Sequence, residues 1–364
     1  SRQVSRNLDS PVAVDQRPTL QEICASTDSN AALDVGLLNL LCAHDLPGSE
    51  SLDIDQALDW LDAAADKVNL EIRRHWYRFT ESPTYFNNSP GYYCCYYLLQ
   101  VLQEDFGVRY NPERVRDSKF QDPNCFDPDF RDSRDLFIHG IIDGPGGCCA
   151  SMPVLYVAVG RRLGFPLSLV EVRGHLFFRW EDPLGERFGV PERFNIEGAG
   201  HGIASNPDEY YKTWPSPFTV EDEAEGWYLK SMTPCEELAA FLVTRSVCLE
   251  DNGRLSDAIQ ANQWANDLLP NDVRYRNRLW SLQQQLLPRS IDIEQLIESN
   301  RKNRERGQQF LPQGSVSNDQ AIQSPPAPAE IPAGGLRAGV RHRPCPATRT
   351  GRPGHGVQDP ARGV

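Results

Sequence analysis

The stretch GGCCASMP (146–153) sets Cys149 directly after a glycine-rich approach and at the start of a predicted helix. A helix N-terminus offers unpaired amide N–H groups and a partial positive charge, which lower a thiol's pKa and release the thiolate nucleophile. The same amides can hydrogen-bond an oxyanion developing on an attacked carbonyl. Gly146 and Gly147 let backbone and substrate approach closely, and Cys148 is the alternative nucleophile. In RGHLFFRW (173–180), His175 heads a predicted strand right after the turn residue Gly174. An imidazole takes and returns a proton near neutral pH. FNIE (194–197) then offers Asn195 and Glu197, which alternate with Phe194 and Ile196 and so share one strand face. Either can accept a hydrogen bond from the imidazole and hold its tautomer, the third role in a Cys-His-acid arrangement. Taken singly, each of these residues is ordinary: a small buried thiol, a scaffold histidine, a solvated strand face. Their order over one helix and consecutive strands is what reads as a site.

Other residues are secondary candidates. His201 in GAGHG follows the acid by four positions and is placed either to line a pocket or to make a turn; His139 lies in FIHG. Asn87 and Asn88 in FNNSPGYY offer a side-chain oxyanion donor, although Asn-Ser-Pro is also ordinary turn chemistry. Tyr92, Tyr93, Tyr96 and Tyr97 read as helix packing. There is no CxxC pair and no EF-hand loop, so neither a structural zinc nor Ca²⁺ activation is expected, and no cofactor is implied.

The elements that must position these groups follow from periodicity. Residues 150–163 carry Met152, Leu155, Tyr156, Val159 and Leu163 on one helical face, with Gly164 and Pro166 ending the helix. LSLVEV (167–172), HLFFRW (175–180) and ERFNIE (192–197) alternate as strands do, with turns at Gly174 and at DPLG (182–185). One helix followed by an antiparallel sheet is an α+β core. Upstream, helices are predicted in LDVGLLNLLCA, over about 52–79, and over about 92–105 up to Gly107. Residues 108–145 read as a long connecting loop. Downstream, residues 241–272 resemble one tetratricopeptide repeat, with Gly253 in the turn, Ala258 and Ala265 at close contacts and Pro270 at the end. With one clear copy and a following helix, the region is expected to cap the core. Four regions result: helical 1–110, catalytic-type core 111–232, tetratricopeptide-like 233–300 and a disordered Pro/Gly/Arg-rich tail 301–364.

GGCCASMPVLYVAVGRRLGFPLSLVEVRGHLFFRW with RFNIEGAGHG resembles the core of the transglutaminase-like cysteine-enzyme superfamily, in particular its bacterial branch with helical flanks and a C-terminal tetratricopeptide-like region. The likeness covers about residues 135–218 and extends more loosely on both sides. It implies a papain/transglutaminase-like core, in which a helix bearing Cys packs on an antiparallel sheet bearing His and acid. By the family's motif Cys149, with Gly147 before it and Ser151-Met152 after, is the nucleophile, and His175 matches the family histidine. The family aspartate falls on Glu197, a departure that leaves the third role between Glu197 and Asn195. The implied activity is acyl transfer from an amide or ester of a protein or peptide through a thioester, to water or to an amine. The alternative is a catalytically inactive scaffold of the same fold, binding a protein through its helical C-terminal region.

Charge narrows the partners. The chain has 37 Lys+Arg and 50 Asp+Glu, a net charge of -13. Residues 301–364 hold 10 basic and 4 acidic residues, leaving -19 on residues 1–300. Such an acidic body predicts no nucleic-acid or anionic-membrane partner, because phosphate binding needs clustered cations. No apolar run approaches the ~18 residues of a membrane span, and SRQVSRNLDSPVAVDQRP lacks a signal-peptide centre. Ten cysteines without a framework spacing predict reduced thiols in a cytoplasm.

Overall fold

The computed structural model describes residues 17–25, 34–114, 129–286 and 301. The predicted disordered tail and part of the connecting loop lie outside the described residues. The fold is α+β with helices dominant. Five helices come first: α1 (Leu20–Ala25), α2 (Val35–Ala43), α3 (Ile54–Arg74), α4 (Trp76–Glu81) and α5 (Pro90–Glu104). Asp53 caps α3 by accepting from the Gln56 N–H, and Ala57, Leu61, Ala64, Val68 and Ile72 form its buried stripe. The sequence predicts one helix over 52–79, but the chain makes two. The break at His75 turns Trp76 edge-on to Tyr93 at 5.1 Å and lets Phe79 pack on Phe86 and Tyr93. The tyrosine run of α5 is packing, as expected: Tyr93 and Tyr97 are buried.

The predicted long loop contains two short helices, α6 (Ser133–Leu136) and α7 (His139–Ile142). Its apolar DLFIHG end is buried, and the Ile138 N–H donates to the Asn39 side chain at 2.9 Å. The central helix α8 (Met152–Arg162) is buried from Met152 to Gly160. It packs on α2, α3 and the sheet. Strands β1 (Leu167–Val172), β2 (His175–Asp182) and β3 (Glu192–Ile196) form an antiparallel sheet in sequence order. Gly174, at φ 78, makes the tight turn that places Val172 opposite His175.

Alternation sorts the sheet's two faces. Leu167, Leu169, Phe178, Trp180 and Ile196 join the main core with α8. Val170, Val172 and Phe177 face the other way, onto a smaller cluster completed by Tyr211, Trp214, Phe218, Tyr228 and Leu229. That second face is covered by the segment carrying α9 (Asp208–Tyr211) and α10 (Val220–Glu225). The last helices are α11 (Pro234–Asp251), α12 (Leu255–Leu268) and α13 (Val273–Leu286). α11 and α12 form a hairpin turning at Gly253, with Ala258 and Ala265 fully buried. α11 also packs on α2, and a bidentate pair from Arg161 to Glu237 (2.7 and 2.9 Å) ties it to α8. One continuous core runs from Ile23 to Leu282. None of the described helices is long and apolar enough to cross a membrane.

Candidate active site

His175 and Glu197 meet through a hydrogen bond of 2.8 Å from Nε2 to Oε2. β2 and β3 are paired so that Phe178 faces Ile196, which brings the start of β2 beside the residue that follows β3. Glu197 is held there by its own bridge to Ala204. Its other oxygen accepts from the Ala199 N–H at 3.0 Å, and the Tyr211 hydroxyl donates to Oε2 at 3.4 Å. Burial pushes the Glu197 carboxyl up, but His175, Ala199 and Tyr211 together outweigh it and hold the carboxyl below its usual range. Ionised Glu197 is therefore the partner of Nε2, and Nδ1 is the ring nitrogen outside that bond. The imidazole is buried, edge-on to Trp214 at 4.7 Å and stacked beside Tyr211.

Asn195 is not the orienting group. It lies opposite Arg179 in the sheet, takes the Arg179 Nε–H at 2.7 Å, and donates to Asp208 at 2.7 Å and to the Asn206 carbonyl at 3.0 Å. The fully buried Arg179 also reaches Asp208 at 2.8 Å and the Leu229 carbonyl at 3.0 Å. Asn195 thus pins the covering segment to the sheet.

The cysteines stand in the turn leading into α8. The Cys148 carbonyl accepts from Ser151 N–H at 3.1 Å and Met152 N–H at 3.0 Å, so the turn is continuous with the helix. Gly147 is required here: a Cβ would come within 2.6 Å of the Ser151 hydroxyl and 2.7 Å of Ile141. The strand-like residues 109–111 pair with this approach, through Asn111 N–H to the Gly147 carbonyl (2.9 Å) and Gly147 N–H to the Arg109 carbonyl (3.0 Å). That pairing brings Tyr110 beside both thiols, which with burial push its phenol well up.

The sequence places the amides of the turn on Cys149, but they face Cys148. The sulfur of buried Cys148 accepts from Ala150 N–H at 3.3 Å. The hydrogen bond from the Cys149 thiol, with these amides, holds the Cys148 thiol below its usual range despite burial. Half-buried Cys149 is pushed well up by its hydrogen bond with Cys148, by burial and by the charges of Cys148 and Glu197. None of the eight described cysteines is in a disulfide.

Helix direction settles which end of the sheet Cys149 occupies. Gly160 of α8 lies against Leu167, and Arg161 donates to the Leu167 carbonyl, at the start of β1. One turn earlier, Tyr156 lies against Gly198 and Phe178. The N-terminal end of α8 therefore points to the sheet end that carries His175 and Glu197. These two residues stand on the sheet face turned away from α8. Among the described residues no hydrogen bond joins Cys149 to His175; the imidazole's side-chain bond is to Glu197.

The remaining candidates fall elsewhere. His201 is exposed in a bend. His139 is buried with Nε2 at 3.2 Å from the Ser133 hydroxyl, and lines a separate cavity of about 180 Å³ with Trp60, Gln56 and Asp143. Asn87 and Asn88 are turn residues in the left-handed region. Gly91 N–H, just beyond them, donates to Glu192, which lies opposite Asp182. β2 spans seven residue steps from His175 to Asp182, so this contact stands at the end of the sheet remote from the imidazole. Among the described residues no group of three or more His, Cys, Asp or Glu is placed to hold a metal ion.

Sequence reasoning missed Tyr110, Tyr211 and Trp214. Tyr110 stands in an isolated bridge, Tyr211 ends the four-residue α9 and Trp214 follows it, stretches too short to show a period; the aromatic density of YYKTW (210–214) is a signal for the last two alone. The chain matches no family model, no curated protein and no solved structure.

Proposed function

We propose that this chain is a cysteine acyl-transfer enzyme of transglutaminase-like architecture. Cys149 attacks the carbonyl of a protein or peptide amide or ester, and His175 takes the thiol proton on Nδ1 and returns it to the leaving group. Glu197 holds Nε2–H and steadies the imidazolium. The thioester then passes to water or an amine. The observation that carries the reading is the short His175–Glu197 bond at the sheet end toward which the Cys149 turn points. It is what a base needs to present one defined nitrogen to a thiol. The papain-like core and the family resemblance belong to this proposal.

A second reading, an inactive scaffold binding protein through α11–α13, is favoured by one observation: among the described residues no hydrogen bond joins Cys149 to His175, whose imidazole bonds Glu197. Two measurements separate the readings. The full chain is assayed for ammonia released from peptide amides with and without an added amine, alongside Cys149→Ala. Thiol labelling at mildly acidic pH then compares Cys149 with Cys148 and Cys248. Release that survives Cys149→Ala, or labelling of Cys149 no faster than of Cys248, removes the enzyme reading.

A further inference from the structure

The dipeptide Cys-Cys occurs twice in this chain, in two physical settings. Cys94-Cys95 lies inside α5, where successive side chains diverge by about 100° around the helix. Both are buried, and burial pushes the Cys94 thiol up to about 12 and Cys95 well above the usual range. Such thiols are inert packing. Cys148-Cys149 lies in the turn before α8, where the backbone folds back on itself. Cys148 N–H donates to the Ser151 hydroxyl at 3.0 Å, and Ser151 N–H donates to the Cys148 carbonyl at 3.1 Å. This closed turn holds the two cysteines on adjacent residues, with Ala150 N–H 3.3 Å from the Cys148 sulfur. Cys149 is half-buried, so a small reagent reaches the pair from its side.

We propose that Cys148 and Cys149 form a vicinal dithiol, a modification site that hydroperoxides convert to a disulfide within the turn. The proton shared between the sulfurs shifts to Cys148, and the Cys149 thiolate attacks the distal oxygen of the hydroperoxide. The O–O bond breaks, the expelled alkoxide or hydroxide takes a proton from solvent and leaves as an alcohol or water, and Cys149 becomes a sulfenic acid. The Cys148 thiolate then attacks the Cys149 sulfur, expelling hydroxide, which takes up the proton released from Cys148 and leaves as water. Two thiols lose two hydrogens and two electrons, and the hydroperoxide accepts them. A dithiol reductant returns both. That this oxidation stops turnover rests on the proposal that Cys149 is the nucleophile; formation of the disulfide does not.

The full chain is treated with a small excess of hydrogen peroxide, and its mass and unreduced peptide map are compared with Cys148→Ala. The expected result for the wild type is loss of two hydrogens, mapped to the peptide holding Cys148 and Cys149 and reversed by dithiothreitol. In Cys148→Ala, Cys149 instead gains two or three oxygens, because no neighbour intercepts the sulfenic acid. The proposal is overturned if wild-type Cys149 stays reduced, gains oxygens, or pairs with another cysteine. The wild-type map alone decides between these outcomes, whatever the variant's folding. Iodoacetamide alkylation of the reduced protein reads the nucleophile separately: Cys149 alkylated without a turn disulfide sinks only the dithiol, whereas a turn disulfide with Cys149 no more alkylated than Cys248 sinks only the enzyme reading.

Discussion

His175 Nε2 lies 2.8 Å from Glu197 Oε2 across the ends of neighbouring strands, and that bond decides which imidazole nitrogen faces the rest of the site. With Nε2 committed to an ionised carboxylate, Nδ1 is the nitrogen left for the base of the proposed reaction. In Glu197→Gln the side chain keeps its length but loses its charge, and its amide can present N–H as readily as C=O. Turnover is expected to fall by about 10²–10⁴-fold with the fold intact, the size seen when a triad histidine loses its charged partner. Steady-state rates alongside a thermal melt check this; wild-type turnover in the variant removes Glu197 from the mechanism.

Asn195 stands two residues away on the same strand face but does a different job. Asn195→Ala strips Arg179 Nε and Asp208 of a partner in a buried network, at a cost of about 1–3 kcal/mol. The expected outcome is a lower urea midpoint with the pH dependence of Cys149 labelling unchanged. A shifted labelling profile at wild-type stability would mean that Asn195, not Glu197, orients the histidine.

Those two residues also show where the sequence stops being informative. The strands are readable because LSLVEV, HLFFRW and ERFNIE alternate, and α8 because its apolar positions recur at helical spacing. Face-sharing makes Asn195 and Glu197 equivalent candidates. What separates them is Arg179 and Asp208, a long-range claim on Asn195 that no local pattern encodes. The two thiols are likewise adjacent letters until the turn aims the Ala150 amide at Cys148. Tyr110 reaches the thiols only because residues 109–111 pair with the glycine approach, a contact between segments some forty residues apart along the chain.

The pair between Arg161 and Glu237 is the next test, since it joins the Cys-bearing helix to the C-terminal hairpin. Glu237 is almost fully buried, and burial pushes its carboxyl up against the pull of Arg161. Arg161→Ala leaves that carboxylate without its cation, and breaking such a pair costs about 3–5 kcal/mol. Part of Arg161 is exposed, so the lower end is expected. Chemical denaturation measures it, and Arg161→Ala with Glu237→Gln should recover part of the loss. A single variant as stable as the wild type would show that this pair does not hold the hairpin to α8.

His139 provides the pH-dependent test, in a place remote from the thiols. Burial pushes its imidazole down to about 4, with the Gly48 carbonyl and Asp132 opposing burial and Arg134 adding to it. In the unfolded chain a histidine titrates near ~6.5. Between those values the unfolded state binds more protons, so His139 costs nothing above about pH 6.5 and destabilises increasingly as pH falls toward 4. The full loss is about 3 kcal/mol once pH is below both values. The measurement is the urea midpoint at about pH 7 and about pH 5 for the wild type and His139→Gln, which cannot gain a proton. Carboxylates remote from His139, such as Glu197, titrate alike in both proteins, so the difference between them isolates His139 and its immediate neighbours. The variant should lose less stability on acidification than the wild type; equal losses would mean that His139 becomes charged in the folded chain without cost.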